Sequence, residues 1–165
     1  MTPLFSHDAQ WERMADILHG WIGTPYRHCA GTKTGSDCGS WIARVFHELG
    51  IVQDILAEEY YSRQWYMSDR DGVVYRRLRL YCDNLVSGFT MQEESPDSIW
   101  IRGDILVFKL PRAHTANHLG IYFGCPRPHD HFMVHCLRGP GMHKAAFRTS
   151  WQRFLIGIFR IYQSD

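Results

Sequence analysis

The sequence predicts an α+β domain, and three observations carry that prediction. Helical periodicity fills the first half of the chain. Short apolar or alternating runs of strand type begin near Ile99, and glycine and proline separate those runs. Helices first and strands afterwards point to segregated layers rather than to repeated βαβ units. At 165 residues the chain suits one domain, 1–165, with its own core, and is short for two.

Ser6-His7-Asp8 precedes Trp11, Met14, Ala15, Ile17, Leu18 and Trp21, whose spacings of three and four predict an amphipathic helix. Ser6 or Asp8 should cap its start, and Gly20 or Gly23 should end it. Gly23-Thr24-Pro25 opens a loop that runs through Gly31-Thr32-Lys33-Thr34-Gly35-Ser36, a stretch of turn formers. From Cys38 the pattern changes: Trp41, Ile42, Val45, Phe46 and Leu49 predict a second helix, stopped at Gly50. Leu56, Tyr60, Tyr61, Trp65, Leu78, Tyr81 and Leu85 suit one or two more helices, broken near Asp71-Gly72. The predicted strands are Ile105–Phe108, Leu119–Phe123, Phe132–His135 and Ile156–Ile161, with a turn at 125–130 joining two antiparallel neighbours.

Composition excludes several classes of function. Hydrophobic residues make up 45% and charged residues 21%, which fits a globular protein and not a disordered one. Eighteen basic residues against 17 acidic ones leave a net charge of +1, so there is no electrostatic case for nucleic-acid binding. No run approaches the ~18 apolar residues of a membrane-spanning helix, so no membrane insertion is expected. Residues 1–16 lack the charged start and apolar stretch of a secretory signal, and synthesis in the cytoplasm is the expectation. Five cysteines cannot all pair, and such a compartment disfavours disulfides, so at least one free thiol is a candidate for reactivity.

Asp37-Cys38 stands where the glycine-rich loop becomes a helix. A thiol in the first helical turn lies near unpaired N–H groups and the positive end of the dipole, which favour the nucleophilic thiolate. The plainer reading is a small buried cysteine with Asp37 as the cap. A nucleophilic cysteine also needs a base within hydrogen-bond reach and a group that orients the base. His118 opens one apolar strand and His135 closes the next, so antiparallel pairing can bring them together across 17 positions. Taken singly, each is more often an ordinary edge or core histidine.

Three blocks together resemble the NlpC/P60 cysteine peptidases. The first is Gly23-Thr24-Pro25-Tyr26 with Gly35-Ser36-Asp37-Cys38-Gly39-Ser40-Trp41-Ile42 and Val45-Phe46-His47-Glu48-Leu49-Gly50-Ile51. The second is Gly103-Asp104-Ile105-Leu106-Val107-Phe108 with His118-Leu119-Gly120-Ile121-Tyr122, and the third is Val134-His135-Cys136. They stand in family order. The resemblance implies a papain-like core, its nucleophile helix packed on a small antiparallel sheet, with a mostly helical insertion at about 52–100. It implies a thiol hydrolase cleaving peptide bonds in bacterial cell-wall (peptidoglycan) stem peptides, without metal or cofactor. Cys38 would be the nucleophile, His118 the general base and His135 the orienting residue. Tyr26 and Asp37 would lie on the oxyanion or substrate side of the thiol, and the Cys38 backbone N–H would be a further oxyanion donor. Gly39-Ser40 reverses the family's usual Ser-Gly order. Similarity to stand-alone members also implies carriage by a phage tail or tail-like particle, with tail proteins as partners.

Other readings have less support. His114 and His118 have the spacing of two zinc ligands, but they lack the metalloprotease glutamate and lead into a strand. Cys125, His129, His131 and His135 form a second soft-ligand cluster, for which solvated hairpin histidines are the simpler account. No Gly-x-Ser-x-Gly elbow is present. Tyr60, Tyr61, Trp65, Tyr66 and Met67 suit a substrate platform or, equally, a core. Arg76-Arg77-Leu78-Arg79 reads as a solvated helix face. Two alternatives to a wall hydrolase are a structural tail-tip component with the same fold and a thiol acyltransferase or amidase acting on another substrate.

Overall fold

One long strand near the end of the chain, β9 (Leu155–Gln163), organises the sheet in the computed structural model, which describes residues 1–54 and 72–164. Along one edge β9 pairs with β5 (Ile105–Phe108) and then β1 (Thr2–Pro3). Along the other it pairs with β4 (Phe89–Glu94). From β5 the sheet continues through β6 (His118–Gly124), β7 (Phe132–Leu137) and β8 (Gly141–Ala146), every pairing antiparallel. A separate two-stranded ribbon joins β2 (Gly31–Thr32) to β3 (Gly35–Ser36). Among the described residues the α-helices are α1 (Asp8–Trp21), α2 (Ser40–Glu48), α3 (Val73–Asp83) and the short α4 (Thr149–Gln152). This is the expected α+β arrangement.

Strand alternation gives the sheet two different faces. Ile105, Val107, Leu119, Ile121, Val134, Met142, Phe159 and Ile161 point to one side. There they form the main core with Trp11, Met14, Leu18 and Trp21 of α1, Trp41, Ile42, Val45 and Phe46 of α2, and Val74, Leu78 and Tyr81 of α3. The opposite face carries Leu106, Phe108, Tyr122, Met133 and Ile158 in a smaller core, covered by Phe147, Trp100 and Trp151. His118 and His135 share this second face, through the register pairs Phe108↔His118 and Gly120↔His135.

Several boundaries differ from the sequence reading. No side chain caps α1. Ser6 Oγ turns back to donate to Pro3 O at 2.6 Å, His7 holds the cap position, and Asp8 is already in the first turn, where its charge suits the helix dipole. Gly20 is helical, and the chain leaves α1 through Ile22 and Gly23, the latter at φ +93°. The stretch 52–100 is not helical throughout. Its later part is α3 followed by β4, which joins the sheet, while residues 55–71, with Tyr60, Tyr61, Trp65, Tyr66 and Met67, lie outside the described residues. β8 also adds a strand where none was expected.

Candidate active site

Cys38 lies two residues before α2, at the end of a hairpin whose backbone is closely held. Ser36 N donates to Pro25 O, Arg27 N to Ser36 O and Asp37 N to Ala30 O, at 2.9–3.0 Å. Asp37 is 1% exposed, and its Oδ1 accepts from Gly39 N at 3.0 Å and Ser40 N at 2.7 Å. Asp37 thus does the work of a cap, and it consumes the helix-start donors that the sequence reading assigned to the thiol. From α3, Arg77 Nη1 donates to Ser40 Oγ at 2.6 Å and stands 3.8 Å from Asp37 Oδ1. Tyr81 Oη donates to Gly39 O at 2.8 Å, and Trp41 Nε1 donates to Cys38 O at 3.0 Å. The Gly39-Ser40 order fits this brace. A Cβ on residue 39 would lie 3.2 Å from Arg77 Cδ, while the hydroxyl at 40 meets the guanidinium.

The half-buried Cys38 sulfur lies near the backbone N–H of Leu119, the residue after His118, which favours its thiolate. It can approach that N–H because the β6–β7 ladder begins only at Gly120↔His135, so the strands part beside Leu119. Burial first, then the Asp37 carboxylate, push the thiol up to about 12, with Arg77 and the Leu119 N–H opposing. The resting group is a thiol, contrary to the expectation that the helix start would favour thiolate. Its hydrogen-bond donors are mostly spent on Asp37, which itself adds a negative charge.

His118 is placed by Asn117, whose side-chain oxygen accepts from Leu110 N and whose N–H donates to Phe108 O, closing the β5–β6 loop. Its Nε2 lies 2.9 Å from His135 Nδ1. The partner opposite His135 is Gly120, so no side chain obstructs the diagonal contact between the rings. Both rings are buried, at 4% and 0% exposure, with Trp151 packed 5.6 Å from one and 4.7 Å from the other. Burial, helped by neighbouring histidines, lowers His118 to about 3 and His135 to about 2, so both rest neutral. The imidazole is not hydrogen-bonded to the thiol in this resting arrangement. Tyr26 pairs with Ser36 across an isolated bridge and feels the charge of Cys38, while the Arg138 guanidinium sits over its ring at 5.7 Å. Burial raises the phenol, which keeps it a donor.

The NlpC/P60 family pattern matches residues 23–160. The chain belongs to the NlpC/P60 family. Among solved structures it is similar to a Staphylococcus aureus protein described as similar to a lipoprotein of the NLP/P60 family. That match has a TM-score of 0.60 and 21% identity, over 99% of this chain and 45% of the other. The chain therefore spans less than half the length of the staphylococcal protein. It is also similar to the NlpC/p60 domain of the peptidoglycan hydrolase SagA, with a TM-score of 0.52 and 14% identity, over 90% and 96% of the two chains. No curated protein sequence matches it. Both structural likenesses are likenesses of fold, and they agree with the papain-like α+β expectation.

On this NlpC/P60 scaffold Tyr26, Asp37 and Cys38 lie together, His118 bonds His135, and the two groups approach at Leu119, the residue after His118. The rejected metal readings do not converge. His114 is exposed while His118 is buried, His131 Nδ1 bonds Tyr122 Oη at 2.7 Å, and Cys125 Sγ bonds Arg127 O. Among the described residues no three His, Cys, Asp or Glu side chains form a metal-ligand group. One histidine was missed. His143 stands opposite His135 in the β7–β8 register, with the ring nitrogens 3.2 Å apart. The signal was present in the sequence, since positions 135 and 143 are symmetric about Gly139 in a hairpin turn.

Proposed function

We propose that the chain is a thiol hydrolase that cleaves amide bonds in peptidoglycan stem peptides. Cys38 is the nucleophile, His118 the general base and His135 the residue that orients it. One observation carries this reading: the 2.9 Å His118–His135 bond lies at the parted end of β6 and β7, where the Leu119 N–H lies near the Cys38 sulfur. Because Nε2 of His118 is engaged by His135, Nδ1 is the nitrogen left to take a proton.

The resting pair is thiol and neutral imidazole, so proton transfer accompanies attack. Sγ adds to the substrate carbonyl as its proton passes to His118 Nδ1, and the imidazolium is held through Nε2 by His135. The Tyr26 phenol, beside the Arg138 guanidinium and free to donate its own proton, supports the oxyanion together with the Cys38 N–H. Collapse expels the amine, which takes the proton from Nδ1, and leaves a thioester. Water, activated by the same ring, then releases the acid and restores the thiol. Nucleophile and proton shuttle are both supplied by side chains, so chelators should leave the rate unchanged. Carriage by a phage tail or tail-like particle is part of the reading, and co-sedimentation with such particles tests it.

The deciding experiment incubates the protein with defined wall fragments and identifies the products by mass. Cuts within the peptide stem, with glycan strands intact, are expected. Cys38→Ala should abolish them, and His118→Ala should reduce turnover by about 10²–10⁴-fold. Release of reducing sugar ends, or full activity in Cys38→Ala, refutes the assignment.

A further inference from the structure

Beyond the cysteine and two histidines, a third histidine completes an unbroken row. His118 Nε2 meets His135 Nδ1 at 2.9 Å, His135 Nε2 meets His143 Nε2 at 3.2 Å, and His143 Nδ1 meets Gly141 O at 3.0 Å. The rings come from three adjacent strands, and the row ends on a backbone carbonyl. We propose that His143 is a positioning residue that, through His135, fixes the tautomer of His118 and so leaves its Nδ1 unprotonated.

The argument is one of donors and acceptors, and it rests on the thiol-hydrolase reading only for its consequence in catalysis. A carbonyl oxygen can only accept, so His143 Nδ1 carries a proton. In a neutral ring the other nitrogen is then a lone pair, which fixes His143 Nε2 as an acceptor. His135 Nε2 must therefore be the donor across the 3.2 Å contact, which leaves His135 Nδ1 as a lone pair. That lone pair accepts from His118 Nε2–H, and the remaining nitrogen of His118, Nδ1, is left unprotonated. Burial keeps His118 and His135 neutral, and the sequence of donors holds wherever the part-buried His143 is neutral too, since a doubly protonated His143 would donate from Nε2 and reverse the row. Reversing any one ring puts two protons or two lone pairs face to face, so the three tautomers form one unit.

The position of His143 is imposed by the hairpin. Gly141 adopts φ +72°, and a Cβ there would lie 2.5 Å from Thr24 O, so the carbonyl that ends the row is itself fixed against the 23–26 segment. Met142 N donates to Thr24 O, and Gly23 N donates to Met142 O, both at 2.8 Å.

Two variants separate this role from simple packing. Leucine at 143 fills space but accepts no hydrogen bond, whereas the carbonyl of glutamine can still accept from His135 Nε2. Long-range ¹H–¹⁵N correlation of the imidazole rings, recorded at about pH 8, above the ordinary histidine range, reads the tautomers directly. In the unmodified protein His118 should carry its proton on Nε2, as should His135. H143L should give mixed His118 tautomers, and H143Q should keep the original pattern. On a cleavable wall peptide, H143L should lose between about 10- and 10³-fold in kcat, with KM nearly unchanged, as expected for a base in the wrong tautomer. H143Q should recover most of it. The alkylation rate of Cys38, in a Cys125→Ser background, should follow the same order. A His118 proton on Nδ1 in the unmodified protein overturns the proposal, and so does an H143L protein that keeps both the ring pattern and the rate of thiol alkylation. The expected ring pattern, lost in H143L and kept in H143Q, supports the proposal even if no wall fragment is cut, so failure of the substrate reading remains distinguishable.

Discussion

Two buried aspartates meet arginines in this chain, and the pairs do different work. Arg160 binds Asp104 twice, Nε to Oδ1 and Nη2 to Oδ2, each at 2.8 Å, and also donates to Ile99 O. Asp104 in turn accepts from Ile101 N. This pair locks the turn before β5 onto β9. Asp37 and Arg77 come only to 3.8 Å, because each is committed elsewhere, the carboxylate to two backbone N–H groups and the guanidinium to Ser40 Oγ. A two-point ion pair fixes strands. A looser pair, joined through the backbone between its members, fixes the loop that presents a thiol. Burial alone does not distinguish them; what each charge is bonded to does.

The largest effect should come from breaking the tight pair. Asp104→Ala leaves Arg160 buried without its partner and should cost about 3–5 kcal/mol, measured by urea unfolding, while replacing both residues by apolar side chains of similar size should recover most of that. A loss below about 1 kcal/mol would remove the distinction between the pairs. Acid asks whether the histidines, rather than either arginine pair, set the lower limit of stability. His118 and His135 have folded values near 3 and 2, well below their ordinary range, so the unfolded chain binds more protons as pH falls below about 6.5. Their contribution is complete above that pH and is lost below it, by up to about 1.4 kcal/mol per pH unit for each ring. Thermal unfolding between pH 7 and 4 should show the slope, reduced in His135→Gln. A flat profile would mean that the rings are charged when folded.

The looser pair should matter more for rate than for stability. Asp37→Ala should cost only about 1 kcal/mol, as for a lost cap, but about 10²-fold in kcat/KM as the Cys38 backbone shifts. Equal and small effects on both would contradict its positioning role. The smallest change is expected from Arg77→Lys, which keeps a donor for Ser40: under about 1 kcal/mol in stability and only a few-fold in rate. Should this variant match Asp37→Ala, the arginine and not the aspartate is the main support of the loop.

Much of this architecture was legible in the sequence where burial is one-sided or complete. Trp41, Ile42, Val45 and Phe46 repeat at helical spacing because one face of α2 is wholly buried, and the apolar runs of β5, β6 and β9 follow from burial on both faces of the sheet. β4 was not legible, because its Phe89-Thr90-Met91-Gln92-Glu93-Glu94 is half-exposed and turns polar at one end. Nor was β8, whose lysine and alanines carry little strand preference and are held by pairing with β7. The candidate triad was visible through its motif. The state of the thiol was not, since it depends first on the burial of the sulfur and then on the nearby Asp37 carboxylate. His143 escaped because it lies on the unread strand.

The contact between Thr24 and Met142 has a consequence for how the protein is made. It closes the site across most of the chain, and closures of that span come late in folding. Cys38 leaves the ribosome 80 residues before His118 and 105 before His143. Until β6 joins the sheet the thiol lacks the neighbouring Leu119 N–H, and until the last hairpin docks His135 lacks His143. Burial beside Asp37, which raises the thiol to about 12, and the row of histidines are thus both set only when the domain is complete.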